Sequence, residues 1–191
     1  MSSILKYLEE RIFFPMRYRS ISEKLAPYLE GCKKVLDVGA ADGAMAKYIK
    51  EKLDIDFFGI DTHIQPKSYI PIKKYDGESI PFEDESFDAV MLVDVLHHTT
   101  DAEHTLEECK RVTKNYIIIK DHYWVHRWEY HYMRYGDAVG NKPYGIDVPC
   151  NFFNIERWRD TIKKLNFKIV KFEGYRLSID PTKHIILKLK K

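Results

Sequence analysis

Residues 35–44 read Val-Leu-Asp-Val-Gly-Ala-Ala-Asp-Gly-Ala. Four residues of buried-strand character run into a turn of small side chains at Gly39, Ala40 and Ala41, and Gly43 opens a helical pattern at Ala44. A strand ending this way brings its backbone to a crevice that a ligand can approach closely. The chain keeps this rhythm on either side. Apolar runs at Phe57–Ile60, Tyr69–Lys74, Ala89–Val93 and Tyr116–Ile119 alternate with helical patterns at Ala44–Leu53 and Ala102–Thr113. Such alternation predicts an α/β fold with a mostly parallel sheet and helices on both faces. Beyond Ile119 the rhythm lapses for about 35 residues. Then Ile155–Leu165 reads as a helix, and Phe167–Phe172 and His184–Leu189 read as closing strands with a turn around Asp180–Pro181. Asn166 suits the left-handed residue that follows a helix. The first 34 residues read as helical, with a break near Pro15.

Composition narrows the class. The 191 residues are 45% hydrophobic and 14% aromatic, which excludes disorder as the main state. No run of ~18 apolar residues is present to span a membrane. Lys6, Glu9 and Glu10 stand where a signal peptide would need an apolar core, so a cytoplasmic protein is expected. Cys32, Cys109 and Cys150 form no CxxC pair and read as free thiols. With no repeat or linker, residues 1–191 read as one domain. Its formal charge of +2 divides into +3 over residues 1–34, −8 over 35–155 and +7 over 156–191. The acidic middle argues against a nucleic-acid groove across it, while the basic C-terminal end keeps an RNA or protein acceptor open.

The loop also states what it prefers to hold. A dinucleotide fingerprint would read GxGxxG, but Ala41 and Ala44 take the second and third glycine positions. Asp37 and Asp42 would repel a pyrophosphate and suit a ligand carrying an ammonium and a sulfonium, which favours S-adenosylmethionine over NAD. Asp61 ends the second strand, 18 residues after Gly43, where a carboxylate can accept both ribose hydroxyls. Asp76 opens Asp-Gly-Glu-Ser-Ile-Pro-Phe, and the fourth strand ends in Asp94-Val-Leu-His97-His98. With LDVGAADG at 36–43, DGESIPFEDESFDAV at 76–90 and VLHH at 95–98, the chain resembles the class I S-adenosylmethionine-dependent methyltransferases over roughly residues 30–120. The likeness is to the small-molecule branch of the ubiquinone and menaquinone type. It implies a Rossmann-like, seven-stranded sheet whose last strand runs antiparallel between the fifth and sixth. It also implies that Asp37, Gly39, Ala41 and Gly43 line the methionine end of the cofactor and that Asp61 holds the ribose. Asp76 with Gly77 would meet the adenine, and Asp94 and Val95 would flank the sulfonium. Ala41 for the middle glycine and Asp42 before Gly43 are the two departures from the pattern. Asp42 and Asp88 read better, taken singly, as a helix cap or a solvated turn than as ligand contacts.

Residues 121–153 carry 9 of the chain's 26 aromatic residues and leave from the ligand edge of the sheet. A helix over roughly 123–135 and a loop at 140–145 are expected to form a lid over an aromatic-walled pocket, with Tyr123, Trp124, Trp128, Tyr132 and Tyr144 toward the substrate. Residues 1–34 would be a helical cap, 35–120 the cofactor-binding core and 154–191 the closing helix and strands. Methyl transfer from a sulfonium needs orientation and, for some acceptors, a base. His97, His98 and His122, the last beside Asp121, are the candidates. His122, His126 and Glu129 share a helical spacing that suits a metal, but without a second signature they read as a polar rim and no metal is expected. The Asp94-Val-Leu-His stretch discourages amino-group methylation of bases, and Pro149-Cys150 lies too far along for covalent cytosine chemistry. Ile4, Leu8 and Ile12 share a helical face that packs on the domain or touches a membrane peripherally. A small-molecule acceptor is expected. A non-catalytic module binding the cofactor or S-adenosylhomocysteine is the other reading.

Overall fold

The computed structural model describes residues 9–141, 149–177 and 180–191. A π-helical turn, Glu9–Phe13, leads into α1 (Phe14–Leu29). Pro15 sits in the first turn of α1, where its missing N–H costs no hydrogen bond, so the break near it is a change of helix type. There follow β1 (Lys34–Val38), α2 (Ala44–Lys50), β2 (Asp56–Asp61), β3 (Ile72–Lys74), β4 (Phe87–Val93) and α3 (Ala102–Val112). β5 (Thr113–Tyr123), α4 (Arg127–Asn141), α5 (Ile155–Lys164), β6 (Lys168–Leu177) and β7 (Asp180–Lys190) complete the order.

The seven strands form one sheet in the order β3-β2-β1-β4-β5-β7-β6. β1 pairs in parallel with β2 and β4, β4 with β5, and β7 lies antiparallel between β5 and β6, as the resemblance implies. Strand order reverses between β1 and β4, and a crevice opens there beyond their carboxyl ends. Alternate side chains of each strand serve opposite layers. Leu36, Val38, Val90, Leu92, Ile117 and Ile119 pack under α3 and α5, against Leu106, Cys109 and Trp158. Val35, Ala89, Met91 and Ile118 pack under α1 and α2, against Leu25, Leu29, Met45 and Ile49. Double-sided burial is why these strands read as unbroken apolar runs.

Four differences from the sequence reading matter for the site. β5 continues past Ile119 to Tyr123, because β7 pairs with Lys120, Asp121, His122 and Tyr123 in unbroken register. The polar Lys-Asp-His stretch hides that extension from a hydrophobic pattern. The helix expected at 123–135 starts instead at Arg127, since Glu129 Oε2 accepts from Val125 N at 2.8 Å and His126 N at 3.0 Å and fixes the entry. Asp180 and Pro181 belong to β7, with Asp180 paired to Leu177, so they do not form the turn. Of the loop at 140–145, Gly140 and Asn141 end α4 and the remainder lies outside the described residues. Asn166 adopts the left-handed conformation expected of it, φ 55°, and the structure adds Asp101 and Asn154 as the caps of α3 and α5. Ile4 and Leu8 lie outside the described residues, while Ile12 is exposed. Among the described residues, no helix is long and apolar enough to cross a membrane.

Candidate active site

The loop after β1 is held by the sheet itself. Gly39 N and Ala40 N both donate to Ile60 O of β2, at 2.8 and 3.1 Å. Gly39 (φ 69°) and Gly43 (φ 78°) are left-handed, and a Cβ on either would strike Val95 at 2.6 Å or Ile70 at 2.5 Å. These two glycines therefore let neighbouring segments close over the loop. Ala41 is also left-handed, at φ 51°, a conformation costly for a residue with a Cβ. It is held by Ala41 N donating to Asp61 Oδ2 at 2.8 Å. Asp42 Oδ1 accepts from Ala44 N at 2.9 Å and so caps α2. Asp88 accepts from Lys33 N and Lys34 N, a purely structural task.

Asp37 lies beneath this loop, 2% exposed, and its Oδ2 is buried without a hydrogen-bond partner. Burial, with the negative charges of Asp61 and Asp42 added, pushes its carboxyl up to about 8. An acid in that position gains most from a ligand that brings a cationic donor.

A cleft of about 860 Å³ runs along the carboxyl ends of β1, β2 and β4. Gly39, Ala41, Asp61, Asp76, Gly77, Asp94 and Val95 all line it. A smaller recess of about 130 Å³ extends it to Asp37 through the shared walls of Gly39, Ala41 and Asp94. Gly43 faces neither space and packs on Ile70. Asp61 Oδ1 also accepts from His63 N at 2.9 Å, and Asp76 Oδ1 accepts from Glu78 N and Ser79 N, both at 2.8 Å. Those two backbone bonds hold the exposed Asp76 carboxyl below its ordinary range.

Asp94 ends β4 in a left-handed conformation, φ 57°. Its carboxylate meets Lys120 Nζ at 2.5 Å, Arg17 Nη2 at 3.0 Å and His122 Nδ1 at 3.3 Å. Burial alone would raise this carboxyl, but the three cations outweigh burial and hold it well below the carboxylate range. Lys120 is completely buried, and burial lowers its ammonium despite Asp94. Lys120 and Arg17 were not singled out from sequence. A lysine directly after three isoleucines of a buried strand is the signal that marks the first, and none marks the second.

On the far side of Asp94 lies a second cavity of about 530 Å³, lined by Arg17, His97, His122, Tyr132, Met133, Gly136, Asp137, Phe152, Pro181 and Thr182. His97 is 4% exposed, with Nδ1 2.6 Å from Asp121 Oδ1 and its ring stacked on Phe152 at 4.7 Å. Asp121 also accepts from Leu96 N and His122 N. Burial pushes its carboxyl upward, yet His97 and these bonds bring it well below the usual value. His98 lines the first cleft, and burial with the adjacent His97 lowers its imidazole from 6.5. Thus His97, His98, His122 and Asp121 converge around the wall between the two spaces.

The expected substrate residues divide. Tyr132 lines the second cavity. Trp124 packs with Met133, Cys150 and Phe152 and donates through Nε1 to Phe152 O at 3.0 Å. Tyr123 lies against the strand core. Trp128, 65% exposed, lies outside the cavity lining. Tyr144 lies outside the described residues. The spacing of His122, His126 and Glu129 assembles nothing: His122 belongs to β5, His126 is exposed, and Glu129 pairs with Lys183 at 2.7 Å. Arg17, Met133, Phe152, Pro181 and Thr182 reach the cavity from four separate parts of the chain, which no local pattern signals.

Residues 36–118 match the family described as a methyltransferase domain. The demethylmenaquinone methyltransferase of Thermotoga maritima is 30% identical over 90 residues, 43% of this chain and 39% of its own length. The ajmaline N-methyltransferase of Rauvolfia serpentina is 25% identical over 176 residues, covering 82% and 60%. A solved S-adenosylmethionine-dependent methyltransferase from Archaeoglobus fulgidus superimposes with a TM-score of 0.72 at 18% identity, over 100% of both chains. The fold, the loop and the matched core resemble those of the class I S-adenosylmethionine-dependent methyltransferases. The chain spans less than two thirds of the length of the curated relatives it matches.

Proposed function

We propose that this chain is a single-domain methyltransferase that uses S-adenosylmethionine, working in the cytoplasm on a small, partly apolar or aromatic acceptor. The observation that carries the cofactor reading is Asp37, a buried carboxylate with one oxygen unpaired at the foot of the glycine loop. An ammonium is the ligand group that satisfies it. On this reading Asp61 accepts from the ribose hydroxyls and Asp76, with Gly77, meets the adenine. Asp94 and Val95 flank the sulfonium, while Gly39, Ala41 and Gly43 set the loop's path at the methionine end.

The bound cofactor supplies an activated methyl group, so the chain's task is chiefly to align an acceptor for in-line displacement. The second cavity has the size and the mixed wall of a small-molecule site, with Tyr132, Met133 and Phe152 on its apolar side. Two of the relatives named above are, by name, methyltransferases of demethylmenaquinone and ajmaline. The candidate to take the proton of the acceptor is His122, which lines the second cavity with Asp94 and Asp121 3.3 and 3.8 Å from its Nδ1. Asp121 holds this part of the wall in place. α4 covers the cavity as a lid, contributing Tyr132, Met133, Gly136 and Asp137. The buried free cysteines suit a reducing compartment.

Calorimetry tests the cofactor half. S-adenosylhomocysteine binds and NAD does not, and Asp61→Ala weakens the former about 10- to 100-fold, the worth of a charged hydrogen bond. Unchanged affinity in Asp61→Ala overturns the ribose assignment. Transfer of a labelled methyl group into a cell extract, with mass spectrometry of the labelled species, identifies the acceptor. Label found only in tRNA, rRNA or protein overturns the small-molecule reading.

A further inference from the structure

α4 has three faces. Inward it turns Glu129, Tyr130, Met133 and Asp137: Glu129 and Met133 are buried, Tyr130 packs on Trp124, and Asp137 lines the second cavity. Trp128, Tyr132, Tyr135 and Val139, spaced by four, three and four residues, form one stripe along the outside. Each is more than half exposed, at positions where an ordinary surface helix turns charged groups to water. Arg127, His131 and Arg134 are exposed along one flank of that stripe. Glu129 and Asp137 are the two carboxylates of this helix, so its exposed face carries cations and no anion.

The stripe borders the second cavity, because Tyr132 belongs to both. Arg17 lines the same cavity from α1, and Phe13, one helical turn before Arg17, is exposed together with Ile12 and Met16. Apolar side chains thus stand in solvent on two helical segments that reach this cavity. Indole and phenol rings, apolar with one polar edge, settle at the level of lipid headgroups, and arginines beside them are drawn to anionic phosphates. A second copy of the chain is a poorer occupant, since on the same face it brings the same cations and no carboxylate.

We propose that the exposed face of α4 docks on an anionic lipid surface, with the stripe lying in the plane of the headgroups and Arg127 and Arg134 against their phosphates. The second cavity, through Tyr132, then borders the bilayer. Docking is independent of the methyl-transfer reading; only the entry of an apolar acceptor from the lipid rests on it.

The test floats the full chain, without cofactor, with vesicles of phosphatidylcholine alone and of phosphatidylcholine mixed with an equal part of phosphatidylglycerol. Binding to the anionic vesicles is expected, and about tenfold or more weaker binding to the neutral ones. Arg127→Gln/Arg134→Gln and Trp128→Ser/Tyr135→Ser each lose about tenfold on the anionic vesicles. By contrast, Lys163→Gln/Lys168→Gln at the basic C-terminal end and Phe172→Ser on exposed β6 leave binding unchanged. Vesicles also shift tryptophan emission to the blue. Trp158 is buried and Trp124 packs on Tyr130, so that shift reports Trp128. Circular dichroism shows that the variants fold. No vesicle binding, or binding that falls in the C-terminal or β6 variants but not in those of α4, overturns the proposal. So does a dimer in sedimentation that Trp128→Ser/Tyr135→Ser dissociates, which gives the stripe to a second copy. S-adenosylhomocysteine affinity is read by calorimetry in the same proteins, so a chain that binds it but no vesicle loses the lipid surface and keeps the methyltransferase reading.

Discussion

At the scale of single residues, Asp37 sits where its charge is least welcome. With its carboxyl raised from 3.8 to about 8, the folded chain holds a proton there that the unfolded chain has released over the interval between those values. The associated stability is complete below the unfolded value and is lost as pH rises through the folded one. Asp37→Asn should therefore flatten the decline in Tm between about pH 5 and 8, measured by thermal denaturation without ligand. A cationic ligand reverses the preference, because an ammonium beside Asp37 stabilises the carboxylate. S-adenosylhomocysteine should bind more tightly as pH rises toward 8 and release a proton on binding, and Asp37→Asn should abolish both effects. A parent protein whose affinity is flat over that range would contradict the ammonium assignment. The carboxylate itself was legible in Val-Leu-Asp-Val-Gly, because a charged residue inside a four-residue buried strand requires a reason. Its partners Asp61 and Asp42 were legible too. Lys120 was missed, although the same argument applies to it: a lysine closing an isoleucine run in a central strand is buried with a counterion or not at all.

At the scale of elements, β5 and α4 shape the second cavity. β5 carries its pairing with β7 through Asp121 and His122, so these polar residues are fixed on a strand. α4 then starts four residues later than its aromatic content suggests and presents Tyr132, Met133 and Gly136 to the cavity. Aromatic enrichment drew attention to the insert but could not choose a face, because tyrosine and tryptophan are tolerated on both sides of a surface helix. The consequence is a specific contrast. Tyr132→Ala should raise the KM for the acceptor about tenfold, equivalent to ~1.4 kcal/mol, with S-adenosylhomocysteine affinity unchanged. Trp128→Ala should alter neither, since Trp128 is 65% exposed. Steady-state kinetics with calorimetry measures both, and a larger effect from Trp128 would remove α4 from its role as a lid.

At the scale of the whole molecule, the cleft joins segments from the N-terminal helix to the β4 edge, so cofactor binding should stabilise the entire fold. At a ligand concentration of about 100 Kd the gain is ~2.7 kcal/mol. For a chain of this length that corresponds to a Tm rise of roughly 5–10 °C, readable by scanning calorimetry with S-adenosylhomocysteine. A rise confined to well below 2 °C at saturation would mean that the ligand is not held by the cleft that unites α1, β1, β2 and β4.

The sequence by itself determined the parallel core, the loop after β1 and the acids at positions 37, 61, 76 and 94. These rest on local physics: doubly buried strands demand continuous apolar runs, a close turn demands small residues, and strand ends are short distances away along the chain. Even the division of charge was meaningful, since the acidic stretch 35–155 contains every acid of the cleft. Tertiary structure alone decided the rest. Arg17 meets Asp94 across 77 positions, and Asp137 meets His98 from a different element. Contacts of that kind depend on how β7 inserts beside β5 and how α4 settles over the sheet edge. Those are packing outcomes of distant segments, and no periodicity within any one segment encodes them.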